Sequence, residues 1–266
     1  MKNLVATFLS IWLVGCGIAS GQFRKQYEKT STSFSFQKDL YMGQVPHGKS
    51  KAFQKAIAVP LMLTAAGLYT QMDTESSFNK YEVREERNEY LPDFHTHVDD
   101  YLQYAPIAAV YGLNLAGVKG KNDFANRTAL LIKSEILVGV LTYTIKNVTA
   151  VQRPDSSSPN SFPSGHTAQA FAAATFMAKE YGHKNVWYSI GAYTVATSVG
   201  VMRVMNNRHW ITDVLVGAGV GIFSTNMAYL THQYKWGKKH KKAGQTTVIP
   251  SYDGRSGMVS MVYQFH

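Results

Sequence analysis

Six apolar segments, near 56–71, 104–118, 129–145, 167–179, 186–202 and 211–231, succeed one another along the chain without an apparent internal repeat. Their lengths suit helices, and polar connections separate them. The 266 residues include a single cysteine, Cys16, so no intramolecular disulfide is available and stability has to come from helices packing their apolar faces together. The expected fold is all-α: one helical bundle of about six core helices, with a polar N-terminal extension and a short C-terminal tail or strand.

The flanks read differently from the core. Residues 1–21 carry a basic Lys2, an apolar run from Leu4 to Val14 and small residues beyond it, the pattern of an export signal. Ala19 and Gly21 suit cleavage before Gln22, while Leu13-Val14-Gly15-Cys16 also resembles a bacterial lipobox in which Cys16 would become the lipidated first residue. The expected organisation is a signal over 1–21, a polar extension over 22–50, the helical domain over 51–234, and a basic and C-terminal tail over 235–266. The closing GMVSMVYQFH alternates weakly, like a strand of an outer-membrane barrel, but too few strands are present to close one.

Pro60, Asn114, Lys133, Glu135 and Asn226 interrupt the apolar segments, and mean hydropathy is −0.17, so the expectation is that no segment reaches a clear membrane-spanning hydropathy. Charge placement points the other way. Lys119, Lys121 and Arg127, then His183 and Lys184, then the run from Lys235 to Lys242 all follow alternate segment ends. Spanning segments would put these cations inside and the opposite ends outside, provided that 56–71 does not itself cross after an exported N-terminus. The net charge of +10 comes with no nucleic-acid-binding module and no basic stripe interleaved with aromatics, which excludes nucleic acid as a partner. An anionic substrate and an anionic membrane surface account for it.

Three blocks carry candidate chemistry. In KNVTAVQRP, Lys146 and Arg153 are seven residues apart, two helical turns, and share a face suited to an anion if the segment is helical. In SFPSGHT, Ser164, Gly165 and His166 precede an apolar run and read as a helix N-terminus. Free N–H groups and the positive dipole end gather there, and glycine admits an oxyanion close to the backbone. In RVMNNRHWITD, His209 and Asp213 stand at i and i+4, neighbours on one helical face. A carboxylate on one imidazole nitrogen leaves the other free to attack. His95, His97, Asp99 and Asp100 have metal-ligand types and spacing but no third cluster. A rim or capping role is expected of them, and no metal site.

In this order the blocks resemble the signature of the type 2 phosphatidic acid phosphatase (PAP2) superfamily, which also includes vanadium haloperoxidases and bacterial non-specific acid phosphatases. That signature is Lys, six residues, Arg-Pro; then Pro-Ser-Gly-His; then Ser-Arg, five residues, His, three residues, Asp. The resemblance covers about 100–232. Met202 stands where the family has Ser before Arg203, and only eight residues separate Pro154 from Pro163, a short link that tightens the pocket rim.

The resemblance implies a phosphatase acting on phosphate mono- or diphosphate esters, of lipids above all. His209 would be the nucleophile and Asp213 its orienting partner, and His166 would protonate the leaving oxygen and later activate water. Lys146, Arg153, Arg203 and the backbone near Ser164 and Gly165 would hold the phosphoryl oxygens, with no cofactor. The alternatives are a soluble periplasmic acid phosphatase and a vanadate-dependent haloperoxidase, whose cradle would hold vanadate as cofactor. A non-catalytic phosphate-binding envelope protein would need only the cations, and the two histidines with Asp213 argue against it. The motifs name neither the ester nor an oligomeric state.

Overall fold

Small residues set how closely the helices of this chain approach. The computed structural model describes residues 47–71, 79–232, 245–252 and 257–264. Among these are helices α1 (His47–Tyr69), α2 (Lys80–Tyr90), α3 (Val98–Leu102), α4 (Ala105–Leu115), α5 (Phe124–Thr149), α6 (Gly165–Tyr181), α7 (Val186–Met205) and α8 (Ile211–Thr231). Helix α8 packs against α1, α5 and α6, and α6 packs against α4, α5, α7 and α8. The two central helices touch through glycines: a Cβ on Gly217 would lie 2.6 Å from the Ser164 carbonyl oxygen, and one on Gly221 would collide with that of Ala168. A side chain at either position would force the two helices apart.

Around that contact Phe171, Phe176, Tyr181, Tyr193, Val199 and Ile222 form the main core, each contributing about 1.5–3 kcal/mol by leaving water. Side-chain caps start several helices, Asn79 on α2, Asp123 on α5, Ser164 on α6 and Asn185 on α7. α2 and α3 have no counterpart among the six expected segments. α2 is too charged, at KYEVREERNEY, to register as apolar, and α3 is only five residues long. The segment expected as a polar extension to residue 50 already turns helical at His47.

Three helical stretches, Lys51–Tyr69, Phe124–Thr149 and Ile211–Thr231, are long and apolar enough to cross a membrane, which corrects the expectation that none would be. Three of the interrupting polar residues are interhelical ties. Glu135 accepts from Gln169 at 2.8 Å, Asn226 donates to the Ala56 carbonyl at 2.9 Å, and Lys133 reaches the Thr231 carbonyl at 3.4 Å. α5 turns Asn126, Ser134 and Thr142 inward while Ile132, Ile136, Val140 and Tyr143 are more than half exposed. A helix with polar atoms inside and an apolar stripe outside is built for an apolar surrounding.

Thr70 meets Thr212 at 2.7 Å at one end of α8, and Ala56 meets Asn226 towards the other, so α1 runs antiparallel to α8. The start of α1 therefore shares an end of the bundle with Lys119, Lys121, Arg127, His183 and Lys184. At that end buried Glu180 accepts from the Asn122 amide nitrogen at 3.0 Å and from the Tyr229 hydroxyl at 2.6 Å.

A second compact unit follows, the division falling between His232 and Gln233. In it β1 (Gln245–Tyr252) pairs antiparallel with β2 (Gly257–Gln264), Val248 opposite Met261. The strand expected from GMVSMVYQFH is thus half of a hairpin. The export signal, the lipobox and the basic run from Lys235 to Lys242 lie outside the described residues.

Candidate active site

Four helix ends converge opposite the cationic end: the C-termini of α5 and α7, which carry Lys146 and Arg203, and the N-termini of α6 and α8, which bring His166 and Asp213. Both N-termini add positive dipole to the site.

His209 lies just ahead of α8, whose N-cap is Trp210, so His209 and Asp213 do not share a helical face as the spacing predicts. The loop brings them together anyway. Nδ1 of His209 stands 3.4 Å from Oδ2 of Asp213, and both side chains are almost fully buried. The same oxygen accepts from the Trp210 amide at 2.9 Å and from the Ser161 hydroxyl at a very short distance. Ser161 also stands 3.5 Å from Nδ1 of His209. It was not among the sequence candidates, because a serine in a Ser-rich link carries no signal until the fold returns it to Asp213. With Nδ1 facing the carboxylate, Nε2 of His209 is the nitrogen left for chemistry. Burial pushes this imidazole down to about 4, against the upward pull of Asp213, so the ring is neutral at neutral pH.

The first block also departs from the helical expectation. α5 ends at Thr149, Ala150 turns the chain out at φ 46°, and Arg153 sits in the following loop rather than on a face shared with Lys146. Lys146 holds that loop, donating to the carbonyls of Asn160 at 2.5 Å and Ser161 at 3.3 Å. The short link closes on itself through Arg153 N–H to the Ser158 carbonyl at 3.0 Å and Ser161 N–H to the Val151 carbonyl at 2.8 Å. Burial, then the charge of Arg203, lowers the pKa of Arg153, the mark of cations crowded together. Nε of Arg153 and Nε of Arg203 are buried without a hydrogen-bond partner among the described residues. Unsatisfied buried donors of one sign suit an anionic ligand.

Ser164 caps α6, as its place before the apolar run predicts, and its own N–H is engaged within the protein. Its N–H donates to the Asp213 carbonyl at 2.9 Å and its hydroxyl accepts from Thr167, so it latches the start of α6 onto the start of α8. The N–H groups of Gly165 and His166 are the first ones α6 leaves without a helical acceptor. A Cβ on Gly165 would meet no protein atom within 4 Å, so the approach to that backbone is open.

Asp99 and Asp100, expected to be rim or capping residues, contact the site directly. Fully buried Asp99 accepts from Nη1 of Arg203 at 2.5 Å, and Oδ1 of Asp100 lies 2.8 Å from Nε2 of His166. Among the described residues no group of three or more His, Cys, Asp or Glu is arranged to hold a metal ion.

A buried His/Asp pair, clustered cations and an open helix N-terminus thus meet at one end of the bundle, and the PAP2 superfamily model matches residues 127–237 of the chain. Lipid A 1-phosphatase of Porphyromonas gingivalis is 35% identical over 213 residues, covering 75% of this chain and 46% of that protein. Probable lipid phosphate phosphatase 4 of Arabidopsis thaliana is 34% identical over 89 residues, 26% of each chain. The chain thus spans less than half the length of these curated relatives. The crystal structure of Aquifex aeolicus LpxE aligns with a TM-score of 0.42 at 21% identity, over 55% of this chain and 93% of that one.

Proposed function

We propose that the helical unit is a phosphatase for phosphorylated lipids that works through a phosphohistidine. The observation that carries this is the buried His209–Asp213 pair set among Lys146, Arg153 and Arg203. Nε2 of His209 attacks phosphorus, and the ester P–O bond breaks with its electron pair going to the leaving oxygen. His166 supplies that oxygen with a proton. Asp213 stabilises the positive ring, while Lys146, Arg153, Arg203 and the amides of Gly165 and His166 hold the other oxygens as charge redistributes. Water then gives a proton to His166 and its oxygen to phosphorus, releasing phosphate and neutral His209. The steps use only the chain's own residues.

The relatives named for lipid A and lipid phosphate support a lipid substrate, as do the outward apolar stripes of α1 and α5, where Leu61, Met62, Ile132, Ile136 and Val140 are exposed. On this reading the helices lie in a bilayer, with the cationic end inside and the site on the exported side. A spanning α1 then starts from the cationic side, which a cleaved signal at 1–21 does not allow. Cysteines introduced at 101 and 121 in a Cys16→Ser background test this. Labelling at 101 from outside supports the orientation, and labelling at 121 overturns it.

The activity test is phosphate release by detergent-supported protein without added metal, from a short-chain lipid phosphate and from p-nitrophenyl phosphate. Turnover of the lipid ester that His209→Ala abolishes is expected. Undiminished release by a folded His209→Ala protein sinks the mechanism.

A further inference from the structure

His209 is not the only histidine here with a carboxylate partner. His166 has one too, supplied by a part of the chain outside the PAP2-matched segment. Oδ1 of Asp100 lies 2.8 Å from Nε2 of His166, and Oδ2 lies 3.3 Å from Nδ1 of the exposed His97. Asp100 lies in α3, and the connection that leads into α3 is fixed to the end of α7. Asn206 exchanges two 2.9 Å hydrogen bonds with the Thr96 backbone, and Arg87 donates to the Met205 carbonyl at 2.8 Å and the Phe94 carbonyl at 3.3 Å. Gln103 then donates to the Asp100 carbonyl at 2.7 Å.

We infer that Asp100 is a positioning residue for His166: it fixes which imidazole nitrogen exchanges the catalytic proton. The inference rests on the reading above, in which His166 protonates the leaving oxygen. An ionised carboxylate only accepts, so Nε2 of His166 keeps its hydrogen throughout and Nδ1 gains and loses the other. As the ester bond breaks, the Nδ1 proton passes to the departing oxygen. The neutral ring stays oriented by Nε2–H on Asp100, and in the second half Nδ1 takes a proton from the attacking water. No further reactant is needed.

The alternative is that Asp100 plugs the anion site, its carboxylate standing where phosphate oxygens go. The geometry favours positioning, because Asp100 is held by two imidazoles, with Nη1 of Arg203 further off at 3.7 Å. That guanidinium is engaged instead by Asp99. The side chain of Asp100 is 41% exposed where that of Asp213 is 1% exposed, so its influence is the smaller of the two.

The test compares leaving groups in the full chain. A proton donor matters most when the departing oxygen is strongly basic, so kcat/KM of Asp100→Asn is expected to fall at least tenfold more on an alkyl phosphate than on p-nitrophenyl phosphate. Asp100→Glu recovers part of the loss, and Asp100→Asn adds nothing in a His166→Ala background. Equal losses on both esters, or a rise in turnover, overturn the inference and leave the phosphatase reading intact. No turnover by the parent protein, or turnover surviving His209→Ala, removes the reading itself. The histidine tautomer is read separately by nitrogen-15 shifts: Nε2 of His166 carries the hydrogen in the parent, and finding it on Nδ1 instead refutes the assignment.

Discussion

Gly217→Ala links helix packing to chemistry in one substitution. The added Cβ would sit 2.6 Å from the Ser164 carbonyl oxygen, and ordinary contact begins at 3.4 Å, so the start of α6 and the side of α8 must part by about 0.8 Å. Neither contact atom is a flexible side chain. Ser164 is the residue whose N–H latches onto the Asp213 carbonyl, so the displacement falls on the start of α6, which carries His166, and on its latch to the start of α8, which carries Asp213. A misplacement near 1 Å costs about 100-fold in rate, so a loss of about 30- to 100-fold in kcat/KM is expected. Overpacking costs about 1–3 kcal/mol, offset by about 1 kcal/mol from replacing a helical glycine, so the melting temperature should drop only modestly. Initial rates on lipid and aryl esters, with a thermal melt in detergent, measure both. Gly191→Ala is the control, since a Cβ there meets nothing within 4 Å. If Gly217→Ala retains the parent's kcat/KM, the α6–α8 crossing does not set the site geometry and the reasoning fails.

Four further outcomes are expected. His209 is lowered to about 4 from the ordinary imidazole value of about 6.5, so the acid limb of kcat/KM should fall near pH 4, once the substrate's own ionisation is divided out. The same shift makes the neutral buried ring a stabilising feature above about pH 6.5, one that is lost as the pH falls towards 4. Urea melts across that window should show stability declining, less so in His209→Gln. Ser161→Ala removes a hydroxyl donor from Oδ2 of Asp213, and should cost about 1.5–3 kcal/mol by denaturant melt and lower kcat. Gly165→Ala meets no protein atom, so it should leave the melt unchanged and raise KM; a lowered melting temperature would show that the position is structural.

How far the sequence can be read depends on how locally each feature is encoded. The N-terminus of α6 was legible because capping residue, glycine and apolar run are contiguous from Ser164 onward. The extents of α7 and α8 were legible from their long apolar runs. Lys146 with Arg153, and His209 with Asp213, were given the right company but the wrong local geometry. A seven-residue or four-residue spacing implies a shared face only inside a helix, and one pair straddles the end of α5 while the other straddles the start of α8. The expectation that no segment reaches spanning hydropathy failed at Glu135 and Asn226, which count against hydropathy in one dimension but are satisfied by Gln169 and the Ala56 carbonyl in three.

The sequence by itself determined the repertoire of this site: two histidines, an aspartate and three cations, at spacings that match one superfamily and lie at the ends of helices. That much is local, because each motif spans a dozen residues or fewer. Only the tertiary structure decided who partners whom. Asp99 reaches Arg203 across 104 residues, Asp100 reaches His166 across 66, and Ser161 reaches Asp213 across 52. Contacts of that separation depend on which helix ends meet, and the glycines of α8 set that meeting by admitting a backbone where any side chain would have stood.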